Sequence, residues 1–504
     1  MQQEKAVLFS EQYALVVMRL LVEGAADGGS PEDNLSAIEI AHLQAALLGV
    51  TSIIDVIEEI QGSPLDDLDA TVAFFVRNGA YNRKAQPMGE LVRARELYSR
   101  IANDERAKAS PHFCPLDEWM SADYGFSGSE QLALGFALSA MTEVWADDES
   151  AGARSYIPPA NVTDLLHQLH WEERREQALA LLAGDRAYYA QRFAELGMNA
   201  DRLAWETRPF MERPFLETSN GGLISLSPRA VASWLTDGFY YRLLNAAQDR
   251  NTSKRRKTSR RFTSFAGALL EEWCLDLATA AFSHGHHPGG GRVYGEQPYG
   301  NKGKSMTSDL AIHIGTDLVL VEITASRLQA ETVVSADASL AADDIQRMVI
   351  NKVKQLDGCI GALVKGTAEI PAEAPEVLMA GIERVWPIVV AGGHVSQNEF
   401  TWCWLKPKIA DHLNQAKVQP LTVLDVEDFE ALMGAVEHGH SLIRILEGKT
   451  TTTYHEYELA IYFGDDPSLG ELAGRSSLIE ECFERATTEA RAYFDQEADS
   501  DTNA

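Results

Sequence analysis

The sequence predicts an α/β protein in which a helical N-terminal domain precedes a domain with a central mixed β-sheet flanked by helices. Three observations support this prediction. A chain of 504 residues is long for a single hydrophobic core. Apolar residues recur at three- and four-residue spacing through residues 1 to about 200. The remainder alternates helix-like with strand-like segments, which is the order that packs helices on a sheet.

The composition is that of an ordinary globular protein, with 45% hydrophobic and 23% charged residues. No apolar run approaches the roughly 20 residues that cross a bilayer, and charged residues interrupt the N-terminus where a signal peptide needs an apolar core. We therefore expect a cytoplasmic protein. Its five cysteines are scattered and never form CxxC, which argues against a disulfide framework and against a zinc ribbon.

Residues 1–204 are predicted to form the helical domain, because EQYALVVMRLLVEG, NLSAIEIAHLQAALLGVTSIIDVIEEI and SEQLALGFALSAMTEVWAD have helical periodicity. The sequence does not repeat with a fixed period of 30 to 50 residues, so a solenoid is not indicated. No catalytic constellation stands out, so we interpret this part as a recognition or scaffold domain. The segment RPFMERPFLETSNGGLISLS then changes character, and a second domain is predicted over residues 205–463.

The second domain is predicted to alternate helices and strands. A helix at SPRAVASWLTDGFYYRLLNAAQDR leads to a basic segment and then to a long amphipathic helix, FTSFAGALLEEWCLDLATAAF. Strands are predicted at RVYGEQPYG, 309–314, 318–325, RVWPIVVAG and QPLTVLDV, and helices at DDIQRMVINKVKQLDGCIGALV and VEDFEALMGAVEHG. Residues 464–504 are predicted to form a C-terminal helix and an acidic tail.

The segment RNTSKRRKTSRRF concentrates positive charge in a chain whose formal net charge is −30. Seven of the twelve residues from Arg250 to Arg261 are basic and none is acidic. A solvated loop and a phosphate-contacting arm both account for this pattern. In the second interpretation, nucleic acid is bound by Lys254, Arg255, Arg256, Lys257, Arg260 and Arg261.

Two other motifs resemble known sites but lack essential parts. The end of YGNKGKS matches a phosphate-binding P-loop, but Pro298 stands where the first glycine belongs, and a strand is predicted after Ser305 where the motif needs a helix. HGHHP contains three histidines without a Cys or an acid at ligand spacing. A flexible loop is therefore favoured over a zinc site there.

The stretch SDLAIHIGTDLVLVEITAS predicts a hairpin with an acid at each open end. With Gly315-Thr316 as a type II′ turn, paired residue numbers sum to 631, which places Asp309 opposite Glu322. Opposed Cβ atoms lie roughly 4.5–5.5 Å apart, and two carboxylates that close repel unless a cation lies between them. Such hard oxygen ligands suit Mg²⁺ or Mn²⁺. Alternatively, a three-residue turn including Asp317 shifts the register, and both acids merely mark strand ends.

This order of elements resembles the PD-(D/E)xK (restriction-endonuclease-like) nuclease superfamily. The shared elements are a helix with a glutamate (GALLEEW), an acid opening one strand (SD), an acid near the end of the next (LVLVEITAS) and a helix with a glutamine (KVKQLDG). The resemblance covers about residues 260–395 and implies a restriction-endonuclease-like domain. It also implies that Mg²⁺ or Mn²⁺ is bound by Asp309, Glu322, Glu271 and the carbonyl of Ile323, and it matches Gln355 to the family's glutamine.

The chain departs from the family pattern at one position. The family's lysine is expected two residues after the second acid, where this chain has Thr324. The resemblance implies that this lysine positions the attacking water and stabilises the charge that builds on the phosphorane. Lys352, three residues before Gln355 and so on the same helix face, is the expected substitute. Lys304, just before the acidic strand, is a second candidate.

We therefore expect a Mg²⁺-dependent endo- or exonuclease that hydrolyses phosphodiester bonds of DNA in preference to RNA. Prokaryotic genome maintenance or anti-phage defence is a compatible setting, with other subunits of a complex or a second copy as partners and no membrane contact. The alternative, favoured by Thr324, is a catalytically inactive nuclease fold that acts as a nucleic-acid-binding or complex-assembly subunit. A protein-interaction scaffold is permitted by the net charge and opposed by the basic segment.

Overall fold

A computed structural model describes most of the chain. The described residues are 67–82, 87–143, 156–169, 171–197, 205–226, 228–250, 255–283, 290–299, 305–366, 381–465 and 476–495. The helices predicted within residues 1–66, the HGHHP segment, Lys254, Lys304 and the end of the acidic tail lie outside the described residues.

Helices dominate the described residues before 205, as the apolar periodicity predicted. They are α1 (Leu68–Asn82), α2 (Pro87–Arg95), α3 (Glu105–Ala109), α4 (Leu116–Tyr124), α5 (Gly128–Glu143), α6 (Pro159–Gln168), α7 (Arg175–Leu182) and α8 (Arg186–Leu196). A π-helical turn, Glu96–Arg100, and two 3₁₀ turns, Ile101–Asn103 and Glu172–Arg174, complete this part.

A small sheet joins residues on both sides of position 205. Its strands are β1 (Tyr156–Ile157), β2 (Ala183–Gly184), β3 (Phe215–Glu217) and β4 (Leu223–Ser225), in the order β1-β4-β3-β2. β3 and β4 form an antiparallel hairpin around a Ser-Asn-Gly-Gly turn, where Gly221 has a φ of +85° that disfavours other residues. The predicted helical region and the residues that follow it therefore share one sheet.

The segment from 208 to 283 contains α9 (Arg208–Glu212), α10 (Pro228–Leu235), α11 (Asp237–Asp249) and α12 (Arg255–Ser283). α10 and α11 replace the single predicted helix, because Thr236 leaves helical geometry with φ −105° and ψ −91°. The basic residues from 255 to 261 form the first two turns of α12, and the loop interpretation is wrong for them. Arg and Lys favour helices, and no Pro or Gly interrupts this stretch.

A five-stranded mixed sheet forms the centre of the second half. Its strands are β5 (Arg292–Gly295), β8 (Leu310–Ile314), β9 (Asp317–Thr324), β10 (Arg384–Ala391) and β11 (Thr422–Asp425), in the order β11-β10-β9-β8-β5. β5, β8 and β9 are antiparallel neighbours, whereas β9, β10 and β11 are parallel. A separate ribbon pairs β6 (Pro298–Tyr299) with β7 (Ser305–Met306). The predicted α/β class with a mixed central sheet is confirmed.

Helices cover this sheet and connect its parallel strands. Because parallel neighbours need a long crossover, β9 and β10 are connected through α13 (Ala330–Ser335), α14 (Ala338–Ile345), a π-helical turn (Gln346–Ile350) and α15 (Asn351–Val364). The remaining helices are α16 (Glu399–Ile409), α17 (Val426–Glu437), α18 (Leu442–Thr451), α19 (Leu459–Asp465) and α20 (Ser477–Asp495), with a 3₁₀ turn at Thr453–Glu456.

The sheet separates two apolar cores. Alternate residues of β9, such as Val321 and Ile323, face a core that includes α12 and extends to α2. Leu318 and Leu320 face the other core, which includes α15. Because strand residues alternate between faces, Glu322 lies on the α15 face. No helix of the described residues combines the length and the apolar character that a bilayer span requires.

A buried ion-pair network connects α2 to α12 and α17. Arg93 Nη1 lies 2.7 Å from Glu430 Oε2, and its Nη2 lies 3.2 Å from Glu427 Oε1. The indole N–H of Trp273 donates to Glu430 Oε1 at 2.8 Å. Burial alone would lower the pKa of Arg93, but the attraction of Glu430 and Glu427 outweighs it and raises the pKa. The guanidinium therefore stays charged inside the fold.

Candidate functional site

The β8–β9 hairpin has the register that the sequence predicted. Leu310 pairs with Val321, so paired residue numbers sum to 631. Gly315 has a φ of +60°, as the first central residue of a type II′ turn requires. Asp309 immediately precedes β8, and the same register places it opposite Glu322. The predicted turn and pairing are confirmed, and the three-residue turn is excluded.

A third carboxylate lies in the same row of the sheet. Gly295 pairs with Leu310 between β5 and β8, and the next position in that register opposes Glu296 to Asp309. Opposed residues lie on one face, so Glu296, Asp309 and Glu322 form a row across three neighbouring strands. Sequence reasoning missed Glu296, because no tight turn fixes the register of β5 against β8. The available signal was an acid interrupting the strand-like segment RVYGEQPYG.

Lys352 on α15 bridges two carboxylates of this row. Its Nζ lies 3.0 Å from Glu322 Oε2 and 3.3 Å from Asp309 Oδ2, and the three side chains are 17%, 6% and 8% exposed, respectively. Burial alone would lower the pKa of Lys352, but the attraction of Glu322 and Asp309 outweighs it and raises the pKa. A positive charge therefore lies between the opposed acids, as their mutual repulsion requires.

Each bridged carboxylate retains one oxygen without a protein partner within the described part of the chain. Asp309 Oδ2 accepts hydrogen bonds from the backbone N–H of Ile323, at 2.6 Å, and from Lys352. Glu322 contacts Lys352 through Oε2. Asp309 Oδ1 and Glu322 Oε1 form no such bond with a described residue. These two oxygens remain for a ligand.

Glu271 reaches the row from the other face of the sheet. It lies on α12, is partly buried and interacts electrostatically with Asp309, Lys352 and Glu296. Burial and then the charge of Asp309 raise the pKa of Glu271, and the same two causes raise the pKa of Glu322 and Glu296. Four carboxylates and one lysine thus share the site. Its excess of negative charge favours protons or an added cation.

The donor set fits Mg²⁺ or Mn²⁺ better than a metal that needs a complete protein cage. No three His, Cys, Asp or Glu side chains of the described residues are already arranged as a metal-ligating group. Mg²⁺ is commonly bound through one or two carboxylates and retains waters or substrate phosphate oxygens. Asp309 and Glu322 supply two such carboxylates. The carbonyl of Ile323 stays a predicted ligand.

Gln355 and Thr324, the residue at the expected lysine position, form no hydrogen bond with the acid row. The side chain of Gln355 is exposed on α15 and forms no hydrogen bond with a described residue. Thr324 donates its hydroxyl hydrogen to Ser326 Oγ at 3.0 Å and accepts from the Ser326 N–H at 3.2 Å. Lys352 therefore supplies the only lysine ammonium that contacts the acid row within the described residues, and Lys304 lies outside them.

Three basic residues of the predicted arm are exposed on α12: Lys257, Arg260 and Arg261. The side chains of Arg255 and Arg256 lie outside the described ones. One continuous helix, α12, thus carries both this exposed positive charge and Glu271, which interacts with the acid row.

Comparison with models of known protein families finds no match to this chain, and comparison with curated proteins finds no similar sequence.

Proposed function

We propose that this protein is a metal-dependent nuclease of the PD-(D/E)xK superfamily and that it hydrolyses phosphodiester bonds of DNA. One observation carries the proposal: a single ammonium group, Lys352 Nζ, contacts the opposed carboxylates of Asp309 and Glu322 at 3.3 Å and 3.0 Å. Two acids on adjacent strands with a lysine in contact form the combination that the family resemblance requires. The lysine comes from a helix instead of strand position 324.

The order of secondary structure supports a restriction-endonuclease-like domain. A long helix, α12, precedes the antiparallel strands β5, β8 and β9, and the crossover helices α13 to α15 lead to the parallel strand β10. This order brings Glu271 from one face of the sheet and Lys352 from the other to the same row of acids. Both faces thus contribute to one site at the open end of the hairpin.

In the proposed reaction Asp309 and Glu322 would hold Mg²⁺ or Mn²⁺, with the Ile323 carbonyl as a further ligand and Glu271 completing the site directly or through a water molecule. A cation bound there would polarise the scissile phosphate and lower the pKa of a bound water. The N–H of Ile323 fixes the orientation of the Asp309 carboxylate through its 2.6 Å hydrogen bond. The acids are therefore positioned before substrate arrives.

Lys352 stabilises negative charge that develops on the phosphate during attack. Its contacts with two carboxylates fix the ammonium group, and a preorganised donor costs little reorganisation at the moment of reaction. Glu271, whose pKa is raised by burial and by Asp309, holds a proton more readily than a surface glutamate. It is therefore suited to proton exchange at the site near neutral pH.

The test is incubation of the wild-type protein with linear, circular and single-stranded DNA and with RNA, in Mg²⁺, Mn²⁺ or EDTA. Cleavage should require a divalent cation, and cleavage of circular DNA distinguishes an endonuclease from an exonuclease. Asp309→Asn and Glu322→Gln should be inactive and Lys352→Ala should be slower by about 10²-fold or more, whereas Lys354→Ala, which changes an exposed neighbour, should cleave normally. Failure of the wild type on every substrate with both metals contradicts the proposal.

A second candidate is a catalytically inactive nuclease fold that binds nucleic acid or assembles a complex. Two observations favour it: Lys352 already neutralises part of the acid row, and Thr324 is hydrogen-bonded to Ser326. Calorimetry separates the candidates. Mn²⁺ binding that Asp309→Asn abolishes supports the nuclease, whereas nucleic-acid binding without metal binding supports the inactive fold. A role in prokaryotic genome maintenance or defence remains part of either proposal.

A further inference from the structure

The basic end of α12 and its catalytic glutamate project in the same direction. Each residue of an α-helix turns by about 100° and rises by 1.5 Å. Arg260 precedes Glu271 by eleven residues within this uninterrupted helix. The two side chains therefore project within about 20° of each other and about 16 Å apart along the axis. By the same geometry, Lys257 projects within about 40° of Glu271.

The helix carries only small residues between them on this face. Ser264 is exposed, and Gly267 has no side chain: a Cβ there would lie 3.7 Å from Glu271 Oε1. We call Lys257, Arg260, Ser264, Gly267 and Glu271 the Glu271 face. Along this face no bulky side chain of α12 separates the basic end from the acids.

The adjacent side of α12 is directed toward the N-terminal helices. Arg261 and Glu272 project about 80° and 100° away from Glu271. Glu272 forms an ion pair with Arg106 of α3 at 2.5 Å. Burial raises the pKa of the Cys114 thiol, and Arg261 is close enough to oppose that rise. Arg260 and Arg261 are adjacent in sequence but lie in different surroundings.

The positive charge at this end has no compensation from the described residues. Acidic residues stabilise a helix N-terminus and basic ones oppose its dipole, yet the first turn of α12 contains no acid. Neither Lys257 nor Arg260 forms an ion pair with a described residue, although the chain has a net charge of −30. A local arrangement that opposes stability is expected where function requires it.

We propose that the Glu271 face is the path along which a nucleic-acid strand leaves the acid row, with its phosphates contacted by Arg260 and then by Lys257. This inference rests on the proposed nuclease function and specifies how the substrate is held. A distance of about 16 Å equals the rise of about five base pairs of B-form duplex at 3.4 Å each. Arg260 therefore contacts a phosphate about five pairs from the cut, and Arg261 contacts none.

The first test measures the binding of a fluorescent DNA duplex in EDTA over a range of salt concentrations. Arg260→Ala and Lys257→Ala should each reduce the steepness of log K against log[salt] by about 0.9, because a variant with one phosphate contact fewer releases fewer counterions on binding. Arg260→Lys should keep the slope. Arg261→Ala is the matched control and should leave it nearly unchanged. An equal loss in Arg260→Ala and Arg261→Ala, or no loss in either, overturns the path.

The second test places a negative charge midway along the path. Ser264→Glu lies about 20° from Glu271, whereas Thr263→Glu, also at an exposed position, lies about 80° away. Ser264→Glu should weaken duplex binding several-fold more than Thr263→Glu, because only the former faces the strand. Equal effects of the two variants contradict the inference.

Failure of the path and failure of the nuclease are distinguishable. If DNA is cleaved but Arg260→Ala and Arg261→Ala bind alike, the nuclease stands and the path is wrong. If Arg260→Ala selectively loses a phosphate contact but no cleavage occurs with either metal, the path stands and the catalytic proposal is wrong. If the wild type binds no DNA, both are wrong.

Discussion

Lys352 Nζ lies 3.0 Å from Glu322 Oε2, although the two residues belong to different layers of the fold. Glu322 is in the central strand β9, and Lys352 is in the crossover helix α15 that packs on it. The helix thus delivers a positive charge to the acid row in the absence of a lysine at position 324. Four consequences for activity and stability can be measured.

Replacing Lys352 with Ala should lower turnover by about 10²-fold or more, which is the scale on which a lost transition-state donor is felt. Affinity for Mn²⁺ should change little, because an ammonium is not a ligand. Lys352→Arg should restore little activity, because a planar fork does not replace a compact charge. Single-turnover kinetics and calorimetry measure the two quantities.

Lys354→Ala is the control for this series, since it removes an exposed lysine from the same helix. Thr324→Lys introduced into the Lys352→Ala protein should recover part of the activity if both positions reach the same phosphate. If Lys352→Ala cleaves normally, another residue supplies the positive charge that stabilises the phosphate, and Lys304 is the next candidate.

Stability of the metal-free protein should fall as pH rises, and Glu322→Gln should reduce this fall. Burial and the charge of Asp309 raise the pKa of Glu322 to about 8, so the folded state binds more protons than the unfolded chain between about pH 4.5 and pH 8. Stability from this group is therefore present at low pH and lost as pH rises through that range. At about 1.4 kcal/mol per pKa unit, the variant should gain a few kcal/mol over wild type at pH 8.

Urea unfolding in EDTA at pH 5 and at pH 8 measures this difference. The variant and the wild type should differ more at pH 8 than at pH 5. Parallel changes in the two proteins would show that Glu322 does not bind a proton in the folded state.

Replacing Glu296 with Gln should make Mn²⁺ binding less sensitive to pH. After burial and Asp309, the charge of Glu296 helps to raise the pKa of Glu271 and of Glu322, and protons on these acids compete with metal. The affinity lost between pH 8 and pH 6 should therefore be several-fold smaller in Glu296→Gln than in wild type. Glu272→Gln, on the adjacent side of α12, is the control. An equal loss of affinity at both pH values would identify Glu296 as a ligand instead.

Replacing Arg93 with Ala should destabilise the protein by about 3–5 kcal/mol, because it leaves the buried carboxylate of Glu430 without its cation. Trp273→Phe removes one hydrogen bond to the same carboxylate and should cost about 1–2 kcal/mol. Glu430→Gln in the Arg93→Ala protein should recover part of the loss, since the unpaired charge is removed. Denaturant unfolding monitors all three, and a loss below 1 kcal/mol in Arg93→Ala would contradict the assignment.

Local chemistry explains which parts of the fold were predictable. The β8–β9 register follows from a two-residue turn with Gly315, so short-range rules determine it. The small sheet built from β1 to β4 was not predicted as a sheet, because strands of two or three residues carry little periodicity. The conformation of the first turns of α12 could not be predicted, because a run of basic residues is compatible with both a helix and a solvated loop.

The same distinction applies to the site. Asp309 and Glu322 could be paired from the sequence because one hairpin contains both. The contact of Lys352 depends on how a crossover helix packs, and the sequence supplied only the missing lysine at 324 and the spacing to Gln355. The position of Glu296 opposite Asp309 depends on the register of β5 against β8, two strands that are joined by a long connection. Gln355 followed from the family pattern alone, and its exposure on α15 separates it from the acids.

The Arg93–Glu430 ion pair has a consequence for how the molecule is made. The two residues are 337 positions apart, and the helix that carries Glu430 packs on the same α12 that carries Glu271. The β8–β9 hairpin is therefore synthesised before the layer behind α12 is complete, because that layer requires the C-terminal helices to pack against α2, which is translated much earlier. The helical region also cannot be exchanged for an unrelated domain without further changes, because a replacement must supply a cation for Glu430 and edge strands for β3 and β4.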